Sequence, residues 1–386
     1  MNKFPMALRR PFNRQRGISI IEMMIGSLLG ILVTLVITQV WGMFENQKQR
    51  TISSSSAQVA GLLALTELEQ DVRSAGAGLT DASTFNCAST YSYFETGGVK
   101  TFPAPSYAGV GSGMVPVQIT DGGAGSDTLT VKRGNDFLGG IPATLTSTMP
   151  QSSAELNLSS TAGFADGDIV IAVGLAGAAA GKCAVMLITQ VQDAALKLQH
   201  NPGDTTTYNP TIVDQTTMGW PAFTAGDKIL KVGQMNARSY TVNASRELVL
   251  SDFSNPAAVA VTSVLATDIV MLKAQYGVSD AVINGPVTSW VNATGSWSAL
   301  DGAEVKRIKA VRLVIVARSA KLEASDVTGV CTNISGGVNN GPCAWADSAV
   351  DPAPLIDLSS NPNWKRYRYR AYQAMIPIRN VIWAGV

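Results

Sequence analysis

The feature that most constrains this chain is an uninterrupted apolar run near its N-terminus. Residues 18–44 read ISIIEMMIGSLLGILVTLVITQVWGMF, and these 27 residues exceed the roughly 20 that a helix needs to cross a bilayer. Basic residues and no acidic ones precede the run, at Lys3, Arg9, Arg10, Arg14 and Arg16. Because basic flanks stay in the cytoplasm, the pattern predicts a membrane-spanning helix whose continuation lies outside it.

A single acidic residue, Glu22, lies inside the apolar run. A carboxylate within a bilayer costs a few kcal/mol on insertion scales, so such a residue is expected to have a partner and a role. No small-residue cleavage site of the secretory type follows the run, which leaves an uncleaved signal anchor as the simplest alternative. The position of Glu22 argues against a plain anchor.

The junction RGISIIE at residues 16–22 resembles the type IV prepilin signal, in which a basic leader ending in Gly precedes an apolar helix with Glu at its fifth residue. The resemblance implies cleavage between Gly17 and Ile18 by a prepilin peptidase on the cytoplasmic side of the membrane. It also implies N-methylation of Ile18, although Phe or Met is commoner there. Glu22 would then pair with the N-terminal amine of a neighbouring subunit.

The helical pattern continues past the apolar run. No proline interrupts residues 12–102, and apolar residues recur at helical spacing over 59–72. Charged residues, Asp71 among them, are expected to fill the opposite face of this helix. Gly76 and Gly78 are the expected stop signals.

The sequence therefore predicts four regions, with a helix from Ile18 to about Ser74. They are a leader at 1–17, a transmembrane and filament-core helix at 18–44, an amphipathic continuation at 45–78, and a β-rich globular head at 79–386.

The head has the pattern of a β-rich domain. Apolar or β-branched runs are separated by Gly, Asn, Asp and Pro clusters, and 36 glycines in 386 residues favour a loop-rich fold. We expect an α+β fold in which an antiparallel sheet packs on the long helix, with large loop insertions. The predicted strands are 128–133, 168–173, 183–191, 228–232, 239–242, 247–250 and 311–317. Residues 79–125 and 325–360 are predicted to be variable surface loops.

Segments spread along the chain, taken in order, resemble PilW-type minor pilins. They are 68–76 (LEQDVRSAG), 164–170 (FADGDIV), 267–278, 305–319 and 366–380. The resemblance implies a structural subunit that helps to prime type IV pilus assembly and supports twitching motility and adhesion. It implies four kinds of partner: the prepilin peptidase, other minor pilins, the major pilin and the inner-membrane assembly platform. It places the chain in the bacterial inner membrane, with its head in the periplasm, and in the extracellular pilus.

Two other functions remain open at this stage. A minor pseudopilin of type II secretion would share the apolar helix and Glu22, although such heads are usually shorter. A tip adhesin or DNA-uptake subunit would use the head as a binding module.

The cysteines are Cys87, Cys183, Cys331 and Cys343, and none forms a C-x-x-C pair, which disfavours a zinc site. In an exported chain, a disulfide between Cys331 and Cys343 is favoured. Pairing of Cys87 with Cys183 follows only by elimination. The alternative is that any of the four is a free buried thiol.

No pattern in the sequence points to catalysis. The sequence has a single histidine, His200, and no G-x-S-x-G motif that would supply a nucleophile for it to activate. His200 is therefore expected to be a surface turn residue. The glycine-rich stretch 109–113 lacks the Lys of a phosphate loop. Residues 121–127 are predicted to form a tight turn rather than a calcium loop. We therefore expect no enzymatic activity, no cofactor and no metal site.

Residues 364–372, WKRYRYRAY, interleave cations with aromatic rings, a pattern also found on surfaces that bind single-stranded nucleic acid. Alternation places Tyr367 and Tyr369 on one face of a strand and the intervening arginines on the other, so an amphipathic strand is the simpler interpretation. Without the segment before Ile18 the chain has 24 basic and 28 acidic residues, a formal charge of −4. Nucleic-acid binding is therefore not expected.

Overall fold

The computed structural model of the chain describes residues 17–79, 81–104, 107, 114–135, 142–203, 208–253, 260–281, 285–345 and 351–384. The predictions for leader residues 1–16 and for the stretch 109–113 lie outside the described residues. The chain divides into two units, Met1–Ile52 and Ser53–Val386.

A long helix, α1, runs Ile20–Ser74, so its first part belongs to the first unit and its last turns to the second. In the first unit the large apolar side chains from Ile18 to Phe44 are exposed. An apolar surface of this extent is stable only against lipid or against other chains. The apolar pattern at the N-terminus therefore forms the predicted helix.

Within the second unit, α1 buries one face. The buried positions follow helical spacing of three and four residues and include Ala57, Gly61, Ala64, Leu68 and Val72. Ala57, Ala64, Leu68 and Val72 pack into the largest core cluster, together with residues of several strands.

The helix ends where the sequence predicted. Gly76 has a φ of 74°, the left-handed conformation that terminates many helices at little cost for glycine. Its N–H donates to the carbonyl oxygen of Lys132 at 2.9 Å. The stop signal thus also ties the end of α1 to a strand of the head.

The described residues of the head contain short helices and many strands. The helices are α2 (Ile212–Met218), α3 (Gly302–Arg307) and α4 (Arg379–Ala384). The strands in the first half are β1 (Ser89–Tyr91), β2 (Phe94–Thr96), β3 (Val99–Thr101), β4 (Val117–Thr120), β5 (Thr128–Gly134), β6 (Ala143–Thr144), β7 (Leu156–Asn157), β8 (Ile169–Val173), β9 (Lys182–Leu187), β10 (Gln190–Gln192) and β11 (Lys197–Gln199). Those in the second half are β12 (Lys228–Lys231), β13 (Met235–Val242), β14 (Glu247–Asp252), β15 (Val261–Thr267), β16 (Ile269–Val278), β17 (Ser289–Val291), β18 (Ile308–Arg318), β19 (Cys331–Thr332), β20 (Val338–Asn339) and β21 (Tyr369–Pro377).

The strands form several sheets rather than one. Five-stranded sheets have the orders β1-β9-β8-β12-β6 and β15-β14-β13-β5-β4. A four-stranded sheet has the order β17-β16-β18-β21, and smaller sheets join β10-β11-β7, β19-β20 and β2-β3. The pairs are antiparallel except for β1 with β9. The α+β class with mainly antiparallel sheets is therefore confirmed.

The predicted strands coincide with observed ones except over 183–191. That run divides into β9, which pairs with β8, and β10, which pairs with β11, and the change of partner begins at Thr189, whose N–H donates to Gln199 O at 2.8 Å. The prediction that 79–125 is a surface loop was wrong. The segment carries β1 to β4 and buries Phe85 and Phe94, since its aromatic residues fill the core between glycine-rich turns. Residues 325–360 likewise include β19 and β20.

Candidate functional site

The apolar part of α1 exposes side chains that suit a membrane or a helix bundle. Its most apolar 18-residue window has a mean hydropathy of 2.5, and none of that window is buried. Its hydroxyl groups are satisfied within the helix itself. Ser27, Thr34 and Thr38 donate to carbonyl oxygens three residues earlier, at 2.8–2.9 Å. A helix with no free hydroxyl donors there is compatible with lipid.

Glu22 is the exception in this segment. It lies in the first turn of α1, two residues after the helix begins, where its negative charge is favoured by the helix dipole. Among the described residues, no side chain pairs with its carboxylate. Gly17 and Ile18 precede the helix and are exposed. The three residues predicted for processing and assembly thus lie together at the start of α1.

The other end of α1 is held by a buried carboxylate, Asp71. Its side chain accepts hydrogen bonds from the Tyr240 hydroxyl at 2.5 Å and from Arg238 Nη1, which lies 3.2 Å from each carboxylate oxygen. Arg133 Nη1 approaches at 3.5 Å. Asp71 is only 3% exposed, so the expectation that it lies on the solvent face of the helix was wrong.

The surroundings of Tyr240 and Arg238 favour the protonated form of each group, which is the form that donates to Asp71. Burial, followed by the hydrogen bond to Asp71, raises the pKa of Tyr240 well above its ordinary value. Burial lowers the pKa of Arg238, but the charge and hydrogen bond of Asp71, together with the charge of Asp252, raise that pKa above its ordinary value. Both groups therefore keep their protons and continue to donate to the carboxylate. The partners of Asp71 lie far away in the chain, so no local sequence pattern marks it as buried. The sequence therefore did not predict its role.

Two further contacts fix the last turn of α1. Arg133 Nη1 donates to Ser74 Oγ at 2.6 Å, and Asn380 Nδ2 donates to Ala75 O at 2.9 Å. The amide of Asn380 thus satisfies a carbonyl oxygen that has no partner within the helix. We call Asp71, Ser74, Arg133, Arg238, Tyr240 and Asn380 the helix-end cluster.

The predicted turn at 121–127 forms, and its carboxylates meet a cation supplied by the protein. Lys273 Nζ lies 2.7 Å from Asp127 Oδ1 and 3.7 Å from Asp121 Oδ1. It also donates to Gly123 O at 2.7 Å. The buried ammonium group therefore occupies the position where calcium was considered. In the described part of the chain, no group of three or more His, Cys, Asp or Glu residues is placed to hold a metal ion.

The expectation that His200 is a surface turn residue was wrong. It is only 4% exposed, and its Nε2 lies 2.9 Å from Ala154 O, so it is a buried residue rather than a surface one. Burial lowers the pKa of His200, which keeps the ring neutral. Because a carbonyl oxygen only accepts hydrogen bonds, Nε2 carries the ring proton. The side chain fills the core near the end of β11.

Both disulfides considered from the sequence are present. Cys331 is joined to Cys343, and Cys87 is joined to Cys183. The first closes a short loop at β19 and β20. The second ties β9 to the segment that follows α1.

The segment 364–372 is not a continuous strand. Trp364–Arg366 form a 3₁₀ turn, and β21 begins only at Tyr369. Two of its cations bond to Glu323: Arg366 Nε donates to Glu323 O at 2.8 Å, and Arg368 Nε donates to Glu323 Oε1 at 3.0 Å. One backbone hydrogen bond and one ion pair thus give Arg366 and Arg368 partners within the protein.

Comparison with known proteins gives one match. Residues 235–380 match the model of the PilW family, described as type IV pilus-assembly protein W. No curated protein and no solved structure matched the chain. The matched region begins at β13, which carries Arg238 and Tyr240, and ends at Asn380. Residues 235–380 are therefore similar to the PilW family, and this match supports a relation of the chain to type IV pilus assembly.

Proposed function

We propose that the chain is a PilW-like minor pilin, a structural subunit that helps to initiate type IV pilus assembly. One observation supports this most directly. The PilW-matched region supplies Arg238, Tyr240 and Asn380, which hold the end of the same helix whose N-terminal part exposes an apolar surface. The head thus binds one end of a long helix and leaves its apolar segment exposed. This arrangement suits a subunit that packs against other subunits through that helix.

The mechanism is assembly rather than catalysis. A prepilin peptidase cleaves between Gly17 and Ile18, and the new Ile18 amine is methylated. The apolar segment of α1 holds the subunit in the inner membrane and then leaves lipid for the helix bundle at the filament core. Transfer between two apolar surroundings changes little hydrophobic free energy, so specific contacts decide the register.

Glu22 supplies such a contact. An unpaired carboxylate is costly in an apolar environment, whereas one paired with the N-terminal amine of a neighbouring subunit is stabilised. The cost of leaving Glu22 unpaired selects one axial position of the subunit relative to its neighbour. The other partners in this proposal are further minor pilins, the major pilin and the inner-membrane assembly platform, and the pilus serves twitching motility and adhesion.

The proposal is tested in a strain that lacks the gene and is complemented with wild type, Glu22→Ala or Glu45→Ala. Glu45 lies on the same helix beyond the apolar run and serves as the matched control. We expect Glu22→Ala to be processed normally but to restore fewer pili, with Glu45→Ala close to wild type. Wild-type piliation by Glu22→Ala would remove Glu22 from the mechanism. Normal pili with lost protein secretion in the uncomplemented strain would instead identify a type II pseudopilin.

A further inference from the structure

A cavity of about 800 Å³ lies within the second unit, where β16, β18 and β21 approach the turn between β13 and β14. None of the contacts that hold α1 uses it. Its volume falls in the range of roughly 300–1,000 Å³ that is typical of small-molecule sites. Its lining is mainly polar, which is unusual for a gap left by imperfect packing of a core.

The most informative group on its wall is Arg318. Its side chain lines the cavity, is only 5% exposed, and stacks its guanidinium 4.0 Å above the ring of Tyr367. Among the described residues, Arg318 Nε has no hydrogen-bond partner, although the charge of Asp268 acts on its guanidinium. Burial, and then the charge of Arg246, lower the pKa of Arg318. The charge of Asp268 offsets this only in part, so an anion that accepts a hydrogen bond from Nε would stabilise the buried guanidinium.

A second cation and one anion share the lining. Arg246, at the turn between β13 and β14, is about half exposed and makes only a long ion pair with Asp268, at 3.9 Å. Asp357 lies on the opposite loop, where hydrogen bonds from Ser359 and Asn340 lower its pKa and keep it ionised. The cavity therefore presents two cations and one fixed carboxylate.

Neutral hydrogen-bonding groups and an aromatic ring complete the wall. The amides of Asn243 and Asn361 and the hydroxyls of Ser359 and Ser360 line the cavity, together with the ring of Tyr369. Amides and hydroxyls beside an aromatic face are suited to a ligand that carries several hydroxyl groups on a compact ring.

We propose that this cavity binds a carboxylated sugar residue of a glycan. The sugar carboxylate pairs with the guanidinium of Arg318, which offers a planar fork for it, with Arg246 adding a second positive charge. Ring hydroxyls donate to Asp357 and bond the neighbouring amides. The negative charge of Asp357 repels a polyanionic phosphate chain. The Asp357 carboxylate accepts hydrogen bonds, and an acidic peptide has fewer hydroxyl donors to offer it than a sugar. This site goes beyond the role in pilus assembly, and its test does not depend on pili.

The test uses the full chain purified in detergent, with ligand binding followed by saturation-transfer NMR and titration calorimetry. The probes are glucuronic acid and galacturonic acid disaccharides and sialyllactose, with lactose as the neutral control. Arg318→Gln removes the guanidinium from the cavity wall. Ala244→Trp fills the cavity from an exposed turn. Arg379→Gln, at an exposed arginine outside the cavity, is the control. Loss of a charged hydrogen bond should weaken binding about ten- to a hundredfold in Arg318→Gln.

We expect at least one acidic sugar to bind while lactose does not, with binding lost in Ala244→Trp and retained in Arg379→Gln. Thermal unfolding without ligand checks that each variant is folded. Failure of all the acidic sugars to bind would overturn the proposal. So would equal binding of lactose, unchanged binding in Ala244→Trp, or tighter binding of a glutamate-rich peptide or an oligonucleotide.

Discussion

Replacing Asp71 with Asn tests how the head holds α1. The substitution keeps the shape of the side chain but removes the negative charge that faces Arg238 and Arg133. The amide also presents a donor to Tyr240, whose hydroxyl now donates to a carboxylate oxygen at 2.5 Å. We therefore expect the helix end to lose its main polar attachment while its apolar packing stays unchanged.

The magnitude follows from burial. Removing one partner of a fully buried ion pair costs about 3–5 kcal/mol, because the other charge is left uncompensated. The side chains of Arg238 and Arg133 are 27% and 25% exposed, so water solvates part of each guanidinium. Allowing for that screening, we expect Asp71→Asn to lower the free energy of unfolding of the head by about 2–3 kcal/mol.

The assay is urea unfolding of the full chain in detergent, followed by tryptophan fluorescence. Tyr240→Phe removes one hydrogen bond and should cost about 1–2 kcal/mol. Glu69→Gln is the matched control, because Glu69 lies on the same helix in an exposed pair with Arg73 and should change stability by less than about 0.5 kcal/mol. An Asp71→Asn protein as stable as Glu69→Gln would refute the role given to the helix-end cluster.

Two further predictions concern buried positions of the head. Because burial lowers the pKa of His200, the unfolded chain binds a proton there that the folded chain does not, so stability is full above about pH 6.5 and falls as the pH decreases. His200→Gln should flatten this part of a stability profile between pH 7 and 5, and an unchanged slope would contradict the assignment. Gly134→Ala should destabilise the head by about 1–3 kcal/mol, because the added Cβ would lie 2.4 Å from Val232 O. Urea unfolding measures the loss against Gly329→Ala, where the new Cβ meets open space, and equal stability of the two variants would contradict the expected clash.

The parts of the fold with a local signal were predictable from sequence. The end of α1 was marked by Gly76, and strands such as β5 and β18 were marked by β-branched runs. These features depend on the conformational preferences of neighbouring residues, which a short window of sequence contains.

Features that depend on distant partners were not predictable. Asp71 was assigned to the solvent face because it lies among charged residues, yet its partners Arg238 and Tyr240 are more than 160 positions away. His200 follows a strand and precedes Asn-Pro, which indicates a turn, and only the packing around β11 buries it. At 79–125, glycine and serine content suggested loops, whereas sparse aromatic residues decided that the segment enters the core.

The same limit applies to the candidate sites. Glu22 lies inside the apolar run, so the sequence alone was enough to propose an assembly segment there. The cavity wall brings Arg246, Arg318 and Asp357 together from three loops and strand ends. No spacing along the chain connects these residues, and only the fold reveals that Arg318 Nε lacks a hydrogen-bond partner among the described residues.

The central claim is that the chain is a processed pilin subunit, and its N-terminus tests this most directly. We would measure the intact mass and N-terminal sequence of the wild-type and Gly17→Ala proteins isolated from membranes. The account predicts a wild-type chain that starts at Ile18 and carries one added methyl group, and a Gly17→Ala chain that keeps its leader. A wild-type chain that still starts at Met1 in cells with an active prepilin peptidase would contradict it.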